Sequence, residues 1–311
     1  MRDQYAGDVS DLLKFALLRL LAAGDRTIGV AWYYNAAHDG RADGCHREYC
    51  DQPKWRCLDS TVWNALKELP ERSVAALERL LIWPAQTHFY RVPVPSKGRR
   101  QSWAQDMKCD LHGCGIVFLD PDNGVGGGSK RHATFEEIKA MRQPGRAVVV
   151  IKFPGRTNHD TQLRRFHQML WDHTGATSIV TLRARVSLRY PSVRWFTIVD
   201  ADDILVARAK QFAEKLNGID GCVASVANGC RCEARQENET MNGTARGSRT
   251  LTPELRTTDQ NKKVANVCPE CGHKFKGNGF DGIDAHWRAK HEAIMPYKDA
   301  WPLVKSGNYH R

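Results

Sequence analysis

Cys268 and Cys271 stand two residues apart, fourteen residues separate Cys271 from His286, and four separate His286 from His291. Thiolate and imidazole suit zinc, and a close cysteine pair facing two histidines about one helical turn apart can close a tetrahedron around it. Cys268, Cys271, His286 and His291 are therefore expected to bind zinc. A second concentration of chemistry is VFLDPDNG, residues 117–124, where an apolar run stops at two aspartates and an asparagine. Acceptors gathered at the end of a buried strand can position a substrate, so Asp120 and Asn123 are the catalytic candidates. Taken alone, Asp120 and Asp122 would also suit a hydrolase that cuts nucleic acid with a divalent metal.

The surrounding pattern says what positions these groups. DVSDLLKFALLRLLAA, residues 8–23, has helical apolar spacing, with Asp8 or Ser10 available as a cap. TIGVAWYY (27–34) reads as a strand, 60–82 as one or two helices, and THFYRVPVP (87–95) as a strand whose prolines suit an edge. A regular alternation follows: helix 101–109, strand 115–120, helix 133–142, strand 147–153 and helix 159–173. Strands 178–185 and 193–200 read as a hairpin, and helix 202–216 closes the domain. Such alternation predicts an α/β fold, a Rossmann-like, doubly wound, mostly parallel sheet with an antiparallel terminal strand. Three regions are expected: an α/β domain over 1–217, a linker over 218–265 poor in large apolar residues, and a zinc-binding module with its tail over 266–311.

Residues 266–292 resemble a single C2H2 zinc finger, in which Phe275 and Ile283 fall where the small ββα core lies. The helix positions that would meet bases fall on Gly279, Gly282 and Ala285, which cannot make discriminating contacts, so sequence-specific DNA reading is not expected. A structural role, or docking to RNA backbone or to a protein, fits better, and Trp287, Tyr297 and Trp301 could form a contact patch or pack the tail onto the finger.

The α/β part resembles the class I S-adenosylmethionine-dependent methyltransferases. Asp120 and Pro121 match the start of the Asp-Pro-Pro-Tyr corner of the amino-methylating branch, while Asp122 and Asn123 depart from it. YAGDVSDLLKFALL is similar to the N-terminal His-Ala-Gly-Asn-x-Ala-Asp-Val-Leu-Lys-His segment of the ribosomal-RNA adenine-N6 methyltransferase family typified by the J-type 23S enzyme, with Gly7, Asp11, Leu13 and Lys14 aligned. The strand VVVIKFPGR, followed by a basic helix, is similar to that family's fifth strand. The resemblance implies S-adenosylmethionine as cofactor, Lys14 on the cofactor side, and Asp120 as the acceptor that aims an amine at the methyl group. The loop NAAHDGR after the first strand would then approach the cofactor, with Asn35, Asp39 and Gly40 as binding candidates. Phe153 or Phe118 would have to stack on a target base.

With 46 Lys and Arg against 35 Asp and Glu, the chain carries a formal charge of +11, which favours an anionic partner, nucleic acid above all. Arg99, Arg100, Lys130, Arg131, Arg156, Arg164 and Arg165 could form a rim around Asp120, or could be solvated helix faces. GVGGGSK (124–130) lacks phosphate-loop spacing and is expected to act as a lid. Cys45, His46, Cys50 and Cys57 could hold a second metal. No apolar run reaches the ~20 residues of a membrane helix and no targeting segment is evident, so no membrane role and a cytoplasmic location are expected. An adaptor without catalysis, built on the same scaffold and finger, is the alternative to an enzyme.

Overall fold

Asp8 caps the first helix, α1 (Val9–Ala22), by accepting the Ser10 N–H at 2.8 Å. The computed structural model describes residues 1–24, 26–37, 46–95, 97–127, 129–186, 193–229, 268–273, 283–306 and Tyr309. The chain divides into two compact units, 1–246 and 247–311.

The first unit is built on a seven-stranded mixed sheet. In chain order the strands are β1 (Ile28–Ala31), β2 (His88–Tyr90), β3 (Ile116–Leu119), β4 (Ala147–Lys152), β5 (Ile179–Val186), β6 (Val193–Val199) and β7 (Cys222–Asn228). In space the order is β2-β1-β3-β4-β6-β5-β7. β1 to β4 are mutually parallel, while β6 runs antiparallel to both β4 and β5, and β7 antiparallel to β5. Five of the seven strands therefore point one way. The expected hairpin of β5 and β6 is present. Two short helices, α2 (Ser60–Lys67) and α3 (Val74–Glu78), fill the span between β1 and β2 that reads as one or two helices. β2 is a three-residue edge strand, as the prolines at 93 and 95 require.

Both faces of the sheet are covered, which is why its central strands read as unbroken apolar runs. Ile28, Val30, Ile116, Phe118, Val149 and Ile151 pack against α1, α2, α3 and α7 (Asp203–Asn217). Val117, Leu119, Val148 and Val150 pack against α4 (Arg100–Asp110), α5 (Phe135–Met141) and α6 (His159–Thr174). Local signals hold the helices in place: Thr134 and Glu137 close a capping box on α5, and Gly175 ends α6 in the left-handed conformation.

β7 lies within the segment that the sequence reads as linker. Its residues alternate between buried and exposed at the start, but the buried ones are Cys222 and Ala224, too small to produce an apolar period. Seven register pairs with β5 hold it instead. Most of the remaining linker lies outside the described residues. In the second unit the described helices are α8 (Ile283–Lys290) and α9 (Tyr297–Ser306). Among the described residues, no helix is long and apolar enough to cross a membrane.

Candidate metal centre and strand-end site

Cys268 and Cys271 sit on a tight turn in which the Gly272 N–H donates to the Cys268 carbonyl at 2.9 Å and the Cys268 N–H to the His273 carbonyl at 2.8 Å. Gly272 has a φ of +74°, the left-handed conformation that lets the chain double back between the two thiols and the rest of the turn. His286 lies on α8, and His291 one residue past its end, where the His291 N–H still reaches the Trp287 carbonyl at 2.7 Å. The helical turn thereby carries both imidazoles to one side. The four ligand atoms of Cys268, Cys271, His286 and His291 all lie within 4.8 Å of one another, a group that could hold a metal ion. Cys271 Sγ is 3.2 Å from His286 Nε2, and the two Nε2 atoms are 3.3 Å apart. Ligands about 2.0 Å (N) and 2.3 Å (S) from one zinc ion would form a tetrahedron with edges of roughly 3.3–3.8 Å. The donor set fits zinc in type and spacing.

Beneath this group Cys268, Ile283, Trp287, Ala300 and Val304 form a small core, with Trp301 and Tyr309 packed against it. Trp287 is fully buried and donates its indole N–H to the Met295 carbonyl at 2.8 Å. It therefore packs the tail helix and cannot belong to an exposed contact patch. Ile283 occupies its expected core position; Phe275 lies outside the described residues.

At the other centre the sequence motif explains itself physically. Gly7, at φ +79°, directs its N–H to Asp11 Oδ2 at 2.8 Å. Asp11 and Lys14 are three apart on α1, and their 3.0 Å contact places the ammonium where it also meets both oxygens of Asp120, at 2.9 and 3.0 Å. Asp120 follows β3 directly, and its N–H donates to the Ala31 carbonyl of β1. Lys14 is thus buried, not a solvated lysine. One ammonium serves two carboxylates, so the trio carries a net negative charge. Burial, aided by Asp120 and opposed by Lys14, pushes the Asp11 carboxyl up to about 6. For Lys14, burial works to lower the pKa, but Asp11 and Asp120 together hold it above the usual range.

The remaining candidates separate. Asp122 meets the terminal ammonium of Met1 at 2.7 Å and Arg2 Nε at 3.5 Å. Asn123 is exposed, its N–H donating to the Arg131 carbonyl at 2.8 Å. Asn35 follows β1, with its amide oxygen accepting the Ala37 N–H at 3.2 Å; Asp39 and Gly40 lie outside the described residues. Phe118 is fully buried within the sheet and cannot stack on a base, which leaves Phe153, half-buried beyond the end of β4. The described part of GVGGGSK folds back on itself, with Gly126 donating to Ala133 and Ala133 to Gly124. Cys50 is buried, Cys57 is exposed and Cys45 is outside the described residues; among the described residues only the Cys268 group has metal-ligand geometry.

Sequence reasoning missed Lys152. At the end of β4 it donates to the Val125 carbonyl at 3.2 Å and lies over the Phe166 ring, and burial lowers its pKa. It also shows why residue 124 is glycine. Gly124 has a φ of +88°, and an added Cβ would stand 2.9 Å from Lys152 Cα. Gly124→Ala is expected to destabilise the fold by about 1–3 kcal/mol through strain and overpacking, read as a lower urea midpoint at unchanged slope.

Of the basic rim, Arg99, Lys130, Arg156, Arg164 and Arg165 are exposed, whereas Arg100 is tied down by Glu137 at 2.6 Å. Glu137 also accepts the Tyr33 hydroxyl at 2.8 Å, which ties the chain just past β1 to α4 and α5.

No protein-family model matches the chain, and no curated protein matches it. Among solved structures, a Legionella pneumophila protein described under the family model DUF519 aligns with a TM-score of 0.45 at 11% identity, over 73% of this chain and 99% of that one. A likeness at that level leaves the chemistry of the site to be argued from the chain's own residues.

Proposed function

We infer that the first unit is a Rossmann-like, S-adenosylmethionine-dependent methyltransferase acting on nucleic acid, and that the second is a C2H2-type zinc finger with a tail helix that docks a partner or the substrate. The observation that carries this reading is the Lys14–Asp120 pair. It joins the N-terminal Gly-Asp-x-x-Asp-x-x-Lys segment to the DPDN corner at the carboxyl ends of parallel strands, where open α/β sheets present their chemistry.

In this reading Lys14 meets both oxygens of Asp120 and fixes the plane of its carboxyl group. Each carboxylate oxygen retains lone pairs beyond those facing Lys14, and these accept the N–H groups of a target amine. S-adenosylmethionine supplies the electrophilic methyl group when bound. The protein's part is orientation, with Asn123 at the exposed side of the corner as a second acceptor. The surplus of 46 basic over 35 acidic residues and the exposed arginines around the strand ends support a polyanionic substrate.

Metal-dependent cleavage through Asp120 and Asp122 is the poorer fit, since Lys14 neutralises one carboxylate and Arg2 and the terminal ammonium the other. Calorimetry on the full chain tests the assignment. The wild type and Asn123→Ala are expected to bind S-adenosylmethionine with similar affinity. Asp120→Asn, which keeps the shape of the corner, is expected to lose methyl transfer to RNA. Folded wild type that takes up no cofactor, yet binds RNA with steep salt dependence, would replace the enzyme with the adaptor.

A further inference from the structure

Arg194, the second residue of β6, is fully buried. Its Nε donates to Ser10 Oγ at 2.8 Å, in the first turn of α1. Nη1 and Nη2 are both enclosed and, among the described residues, have no hydrogen-bond partner. A guanidinium has five N–H donors, so four are left unsatisfied where solvent does not reach. Buried charges are normally paired, and one left open is what a binding site for the opposite charge looks like before it is filled.

Among the described residues, the groups facing Arg194 do not supply that charge. Burial lowers the pKa of Arg194, and Asp8 is near enough to oppose that, but its two oxygens accept the Ser10 N–H at 2.8 Å and the His46 N–H at 3.2 Å. Cys222 on β7 is held as a neutral thiol, pushed up to about 11 by burial. Along the same face of the sheet, the register partner of Arg194 is Ala184, and that of Ala184 on the far side is Ala224. These neighbours on two successive strands are small and apolar, so neither offers an acceptor to the guanidinium. The first turn of the fourteen-residue helix α1 faces it with the positive end of its dipole.

We propose that Arg194 is the receptor for a small oxyanion ligand, whose single carboxylate or phosphate group is held between the two free amino groups and the first turn of α1. Full enclosure selects a small molecule over the backbone of a polynucleotide. A planar fork of donors suits either oxyanion. Ser10 and Lys14 are four residues apart on α1, so about 6 Å of helix axis separates this receptor from the Lys14–Asp120 pair. The assignment stands whether or not the corner transfers methyl groups.

Thermal unfolding of the full chain tests it, at constant ionic strength in chloride, with inorganic phosphate or acetate exchanged in. The wild type is expected to show a saturable rise in melting temperature with one of the two anions, phosphate marking a phosphorylated ligand and acetate a carboxylate. Arg194→Met is expected to melt no lower than the wild type in chloride alone, because it removes an unpaired charge, and to show no rise with either anion. Ser10→Ala, which frees Nε, is expected to weaken the anion effect without abolishing it. Equal responses of wild type and Arg194→Met, whether both rise or neither does, would overturn the proposal. So would an Arg194→Met chain that melts far below the wild type or fails to fold, which would make the guanidinium a structural group.

Discussion

Stripping zinc from the metal-loaded full chain with a chelator is expected to unfold the second unit while leaving the first intact. The cause is the size of the core. Among the described residues it consists of Cys268, Ile283, Trp287, Ala300 and Val304, under helices of eight and ten residues. Helices that short are not stable alone in water. Structural zinc contributes about 10–16 kcal/mol of binding energy at neutral pH, and in a module of this kind that energy is folding energy. Cys271→Ser, which weakens one ligand without adding bulk, is expected to have the same effect as the chelator. Hydrogen exchange separates the units: amides of α8 and α9 should lose protection, and those of β1, β3 and β4 should keep it. Unchanged protection in α8 and α9 after the metal is gone would remove zinc as the organiser of this unit.

The candidate metal-binding group was legible because its chemistry is local: Cys268 and Cys271 lie on one turn, and His286 and His291 within one and a half turns of chain. The sheet was legible for a different reason. Strands covered on both faces must be apolar along their covered length, and IVFL and AVVVI, the part of β4 before Lys152, are. Where a strand is built from small residues the signal fades, and β7 reads as linker although it pairs with β5 along its whole length.

Contacts between residues far apart in sequence are the other limit. Lys14 and Asp120 are 106 residues apart, and only resemblance to a family put them in one site. Arg194 and Ser10 are 184 apart, and no spacing rule brings them together. The trio of Asp11, Lys14 and Asp120 shows a related difficulty. A motif of glycine, two aspartates and lysine looks catalytic, but Gly7 and Asp8 are there for the turn and the cap, and Asp11 for the Gly7 N–H. Composition marks such residues as chemical; only the fold distinguishes those that aim other groups from those that meet a substrate.

That trio also carries the second large effect. Lys14→Met removes the cation shared by Asp11 and Asp120 and leaves two buried carboxylates facing each other. A loss of about 3–5 kcal/mol at pH 7 is expected, the cost of stranding buried charge. Asp11→Asn should act the opposite way, and pH reveals why. Burial raises the folded-state pKa of Asp11 from 3.8 to about 6, so its contribution is fully present below pH 3.8 and is lost as pH rises through about 6. The gap corresponds to about 3 kcal/mol at 1.36 kcal/mol per unit. Asparagine keeps the amide acceptor for the Gly7 N–H and carries no charge, so Asp11→Asn should match the wild type near pH 4 and become the more stable of the two by pH 7, with Lys14 then paired to Asp120 alone. Urea unfolding of both proteins at pH 4, 5, 6 and 7 measures the difference directly. A difference that stays flat across that range would mean that Asp11 remains ionised beside Lys14 throughout, with Lys14 and not burial setting its charge.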